Sequence, residues 1–97
     1  MTSKLLAGKT FQDRLDEELA IIHDLLVSKN LAYGNSALDP VRVFSKADAA
    51  EQIKVRLDDK ISRLVRGQAS GEDVVTDLLG YLVLLRIAER IERERGA

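Results

Sequence analysis

The stretch EDVVTDLLGYLVLLRIAERIERER, residues 72–95, decides the fold. At about 100° per residue, Val74, Val75, Leu78, Leu79, Tyr81, Leu82, Val83, Leu84, Leu85, Ile87 and Ala88 leave almost no polar sector. A helix that is apolar all round must be covered on every side. The remainder of a 97-residue chain cannot easily do that. A homo-oligomer, dimer or higher, is therefore expected to complete the fold. Ser70 is the expected N-cap of this third helix, with Asp73 at N3, and the helix runs to about Arg95. Its last turns, ERIERERGA, carry charges of both signs and read as a solvated end with pairs such as Glu89–Arg93.

Working outward, two further helices come into view. Thr10 caps the first, with Asp13 at capping-box spacing. Its stripe is Phe11, Leu15, Leu19, Ile22 and Leu26, with Leu25 at the edge, and it is expected to end near Lys29-Asn30. A connector, LAYGNSALDPVRVF, follows. Asp39 before Pro40 predicts one short helical turn at 40–44. Ser45 is the expected cap of the second long helix, with Asp48 at N3 and a stripe of Ala50, Ile53, Leu57, Ile61 and Leu64. Gly67 stops it. The fold class is all-α: a three-helix antiparallel bundle with a short helical turn in the first connector. Residues 1–9 form an N-terminal arm and 10–97 one helical domain.

Composition narrows function by exclusion. Hydrophobic residues make up 45% and charged residues 32%, as in ordinary globular proteins. Cys is absent and His23 is the single His, which removes thiolate chemistry and multi-His metal clusters. The net charge of −1 supplies no field for duplex nucleic acid or an anionic membrane. No run approaches the roughly 18 apolar residues of a spanning helix. A cytoplasmic setting is the expectation. With Phe11, Tyr33, Phe44 and Tyr81 as the only aromatics, a base-stacking platform for single strands is not expected. His23 lies on the polar side of its helix and is assigned no role.

Several polar residues stand where charge is costly. Glu18 falls on the stripe edge of helix one, between Phe11 and Leu25, and needs a cation such as Arg14 or a metal. On helix two, Arg56, Asp59, Lys60 and Arg63 share one edge of the apolar stripe. Like charges in a row repel unless carboxylates interleave or an anion binds. On helix three, Asp73 and Asp77 are one turn apart, and Asp77 lies among apolar positions. Two carboxylates at that spacing, joined by Glu18, form a candidate Mg²⁺ set; pairing with Arg56 or Arg63 is the alternative. In the connector, Tyr33-Gly34-Asn35-Ser36 combines an aromatic ring, a glycine suited to positive φ and two hydrogen-bonding side chains.

The order YGNS (33–36), then A-x-x-Q-I-x-V-R-x-D-D-K-x-x-R (49–63), then E-D-x-x-x-D-L-x-G-Y (72–81) resembles the nucleotide modification associated domain family. These are small helical proteins common in bacteriophages, and the resemblance covers about residues 30 to 90. A weaker likeness reaches the all-α MazG-type nucleotide pyrophosphatases, which hold Mg²⁺ with acids on adjacent helices and assemble as dimers or tetramers. The motif falls on Tyr33, Gly34, Asn35, Ser36, Arg56, Asp58, Asp59, Lys60, Arg63, Asp73, Asp77, Gly80 and Tyr81. The chain lacks the Glu-x-x-Glu pair of the MazG enzymes in helix one, where Glu17 and Glu18 are adjacent. The resemblance implies a nucleotide context and, for a phage-encoded chain, the infected bacterial host cell.

The leading expectation is a small phage-type protein that binds a phosphorylated nucleotide or cyclic nucleotide, for base modification or to sequester a defence signal. Arg56, Lys60 and Arg63 would hold the phosphates, Asp59 is the carboxylate interleaved in that ligand-binding row, and Tyr33, Asn35 and Ser36 would contact the base or sugar. The alternatives are a MazG-like Mg²⁺-dependent nucleoside triphosphate pyrophosphatase using Glu18, Asp73 and Asp77, and a ligand-free oligomeric module whose charged row is a salt network. Residues alone do not decide between binding and hydrolysis.

Overall fold

The computed structural model describes residues 8–68, 71 and 73–96. Three helices account for the regular structure of these residues: α1 (Phe11–Tyr33), α2 (Ala49–Val65) and α3 (Val74–Gly96). Most of the expected N-terminal arm lies outside the described residues, as does Ser70.

The start of α1 is the one the sequence predicts. Thr10 is the N-cap; its hydroxyl accepts from the Asp13 N–H at 3.1 Å, and the Asp13 carboxylate accepts from the Thr10 N–H at 3.0 Å. Lys9 adds an ion pair to Glu17 at 2.8 Å. The helix runs past Asn30 to Tyr33, because Leu31 and Ala32 continue it and nothing breaks it before Gly34. At φ 66°, ψ −160°, Gly34 occupies a region that only glycine enters readily.

The connector's helical turn lies earlier than predicted. The Asn35 carbonyl accepts from the Leu38 N–H at 3.2 Å and the Asp39 N–H at 2.8 Å, closing one turn at 35–39. Residues 40–44 are not helical. The Asp39 N–H already belongs to the preceding turn, and the alternating β-branched residues of Val41-Arg42-Val43 favour extended backbone.

Asp48, not Ser45, caps α2. Its carboxylate accepts from the Glu51 N–H at 2.9 Å, whereas the Ser45 hydroxyl closes a local turn onto the Ala47 N–H at 3.2 Å. The Ala47 carbonyl is taken by Arg42 Nε and Gln52 Nε2, which fixes the non-helical approach. At the far end Gln68 N–H donates to the Arg63 carbonyl and Gly67 N–H to the Leu64 carbonyl, with Gly67 at φ 69°. This paired closure is the Schellman stop that glycine permits.

The cap of α3 is likewise displaced. Asp73 is the N-cap rather than N3: its carboxylate accepts from the Thr76 N–H at 3.0 Å and the Thr76 hydroxyl at 2.6 Å. The Thr76 bonds hold the Asp73 carboxyl below its ordinary value of 3.8.

The start of α2 lies beside the end of α3, since Asp48, Ala49 and Ala50 border the same small hollow as Ala88, Glu92 and Arg95. At the other end Lys60 meets Asp77. The two helices are therefore antiparallel, and their shared core is Ile53, Leu57 and Ala88, with Leu78, Leu84 and Leu85 packed around it. Ile53, 2% exposed, is its centre. Ile61 and Leu64, expected on the core stripe of α2, are exposed. They lie toward the end of α2, beyond the Ile53–Leu57–Ala88 core.

Helix α1 touches α3 over a short stretch and makes no close backbone approach to α2. Its buried residue is Ile22, and Leu26 lies against Gly80, where a Cβ would stand 3.4 Å from Leu26 Cδ2. The radius of gyration is 16.9 Å. A compact chain of this length would have about 12.5 Å. Helix α1 is thus held at its C-terminal half and overhangs the α2–α3 pair at its N-terminal half. No described helix is long and apolar enough to cross a membrane.

Candidate functional site

The C-terminal half of α1, the connector turn and the α2–α3 pair together border a cleft of about 390 Å³. Small-molecule sites typically occupy roughly 300–1,000 Å³. The last turns of α1 contribute Lys29, Asn30 and Tyr33. Gly34 then reverses the chain, so that Asn35 and Ser36 form the rim. Asn30 Nδ2 donates to Asn35 Oδ1 at 3.1 Å and ties that rim to the helix end. From α2 come Gln52, Ile53 and Arg56, and from α3 come Asp77, Gly80, Tyr81 and Leu84. The absence of a side chain at Gly80 lets α1 approach and leaves depth in the floor.

Four of the predicted ligand residues, Tyr33, Asn35, Ser36 and Arg56, meet in this cleft although they come from separate segments. Asp59, Lys60 and Arg63 do not line it. The charged row of α2 splits three ways. Lys60 Nζ stands 3.2 Å from Asp77 Oδ2, both mostly covered. Arg63 pairs with Asp59 one turn away at 3.3 Å on the surface. Arg56 turns into the cleft and has no ion-pair partner among the described residues.

Sequence reasoning missed Lys29 and Gln52. Lys29 follows the stripe of α1 by one turn from Leu25, a position that reads as a helix end when the helix is taken to stop there. In the longer α1 it becomes a cleft residue, and it too lacks an ion-pair partner among the described residues. Two uncompensated cations therefore border one concave surface that also holds two tyrosine rings and the polar groups of Asn30, Asn35, Ser36 and Gln52. Such a surface suits an anion joined to a planar, hydrogen-bonding body.

The candidate metal set does not assemble. Among the described residues no three acidic or imidazole groups converge on one point. Glu18 is exposed on the overhanging half of α1, Asp73 is held by Thr76 at the start of α3, and Asp77 is paired with Lys60. The donor set thus does not fit Mg²⁺, which needs several oxygen ligands around one centre. His23 is exposed beside Asp24. No protein-family model, curated protein or solved structure matches this chain.

Proposed function

We propose that the cleft binds a phosphorylated nucleotide, as a binding protein that performs no chemistry on it. The observation that carries this reading is the unpaired state of Arg56 and Lys29 among the described residues, on either side of one pocket that also presents Tyr33 and Tyr81. Guanidinium and ammonium groups left without carboxylates beside a concave surface are suited to an anion from solution. Tyr33 at the mouth and Tyr81 toward the core offer faces for a base, and Asn35, Ser36 and Gln52 offer hydrogen bonds to base or sugar. The resemblance of YGNS and the following motifs to the nucleotide modification associated domain family points the same way. In a bacteriophage the role would be to serve base modification or to hold back a nucleotide defence signal in the host cytoplasm. Binding without hydrolysis is favoured over the pyrophosphatase alternative because Glu18, Asp73 and Asp77 stand apart and two of the three already have other partners.

Titration calorimetry against nucleoside mono-, di- and triphosphates and cyclic mono- and dinucleotides tests it. Saturable binding is expected for at least one of them. Arg56→Ala should weaken that binding by about 1.5–3 kcal/mol, the worth of a hydrogen bond to a charged group, which is roughly ten- to a hundredfold in Kd. Folded protein that binds none of the panel, or binding indifferent to Arg56, rejects the proposal.

A further inference from the structure

A second feature of the fold lies away from the cleft: two helix faces stand bare. The face of α1 that packs on α3 through Ile22 and Leu26 continues toward the N-terminus as Leu19, Leu15 and Phe11, which stand exposed among the described residues: Leu19 is 58% and Phe11 79% exposed. Helix α3 has a bare face of its own. Val75, Leu79, Leu82, Val83 and Ile87 are exposed and fall within one sector of the helix, whereas Asp77, Tyr81, Leu84 and Ala88 fall opposite, against α2 and the cleft, and Gly80, against Leu26 of α1, lies at the border beside Ile87. The bare run of α1, 11–19, is about 12 Å long at helical rise, and that of α3, 75–87, about 18 Å, so the shorter fits along the longer.

Charge distinguishes the two faces in a complementary way. Glu18 stands on the bare run of α1 without a partner among the described residues. Arg86 lies in the bare sector of α3, and Arg90 borders it one turn further on; neither has a partner among the described residues. We infer that a second copy of this chain covers these faces, with the overhanging half of α1 from each copy lying along the bare face of α3 of the other and Glu18 meeting the Arg86–Arg90 turn. A reciprocal contact of this kind closes about a two-fold axis. The exposed surface is in keeping with it: the chain shows 7641 Å² to solvent. A compact monomer of its mass shows about 5,500 Å², and a standard dimer interface takes about 800 Å² from each partner. The contact lies on the side of α3 opposite the cleft, so it leaves the pocket open.

Sedimentation equilibrium of the full chain without ligand tests this independently of what the cleft binds. The wild type is expected above monomer mass. Leu19→Glu on α1 and Leu82→Glu on α3 should each weaken association at least about tenfold, because each places a carboxylate in the contact. Both positions are exposed within one copy, so far-ultraviolet circular dichroism should show wild-type helicity. Val55→Glu, at an exposed position on the far side of α2, should leave association as it was. A wild type that stays monomeric up to its solubility limit overturns the inference. So does an oligomer whose mass responds to neither Leu19→Glu nor Leu82→Glu.

Discussion

Gly80→Ala isolates the balance on which the seating of α1 rests. Gly80 is interior to α3, where glycine is less favourable than alanine by about 1 kcal/mol. Against that gain stands the new methyl group. It would lie 3.4 Å from Leu26 Cδ2, with nothing else outside its own helix among its near neighbours. The best carbon–carbon separation is about 3.5–4.0 Å, so Leu26 must give by only a few tenths of an ångström. The atom that must move is the end of a flexible side chain, and a small rotation suffices. Helix propensity therefore wins, and Gly80→Ala should stabilise by about 0.5–1 kcal/mol. For a domain of this size 1 kcal/mol moves Tm by about 4–8 °C, so a rise of about 2–8 °C is expected. Gly80→Leu reverses the sign, since three further carbons must enter where Leu26 sits, at a cost of about 1–3 kcal/mol. Thermal unfolding followed by circular dichroism, with all proteins at one concentration, reads both shifts. Loss of stability in the alanine variant, or an equal gain in the leucine variant, would refute the packing of α1 against α3 described above.

Gly34→Ala should cost about 1–3 kcal/mol, because φ 66° with ψ −160° is a conformation that side chains other than hydrogen do not tolerate, although open space surrounds the position. Denaturant unfolding reads the loss, and the same variant should weaken ligand binding by displacing Asn35 and Ser36. At low pH the start of α3 should loosen. The Asp73 carboxyl is held below 3.8 in the folded chain by Thr76, so its contribution is present in full above the unfolded value and is lost as pH falls from there through the folded value. Thr76→Val removes the 2.6 Å hydroxyl bond and should move the Asp73 titration, followed by carboxyl NMR, back up toward the ordinary value.

The fold was legible where the signals were local and strong. The Thr10–Asp13 box and the Gly67 stop fall on their predicted residues, because both motifs are completed within a few residues of chain. The other two starts shifted by three residues each for a common reason. Ser45-x-x-Asp48 and Ser70-x-x-Asp73 both read as capping boxes, and in each the aspartate at the expected N3 position is itself the cap. The pattern alone does not rank a serine above the aspartate that follows it. Bonds from outside the pattern decide: the Arg42 and Gln52 side chains on the Ala47 carbonyl in one case, the Thr76 hydroxyl in the other. The apolar residues that the sequence spreads around α3 divide in the structure into a face toward α2 and a face left bare.

The charged row of α2 shows why the site was only half legible. A helical wheel places Arg56, Lys60 and Arg63 on one edge and makes them equivalent. Their fates depend on what stands opposite, which the wheel does not contain. Asp77 of α3 is level with Lys60 and takes it; Asp59 lies one turn before Arg63 and takes that. Arg56 faces the end of α1 and the connector, where the nearby groups are Lys29, Tyr33, Asn35 and Ser36, none of them a carboxylate. Among the described residues a cation is left without a counter-charge in the part of the bundle that the long α1 and the Gly34 reversal make concave. Were the row a structural salt network throughout, an acid would be expected opposite Arg56 as well, and the residues that line the cleft supply only Asp77, already engaged by Lys60. What favours a ligand is thus the surroundings of Arg56 and Lys29, not the count of charges in the row.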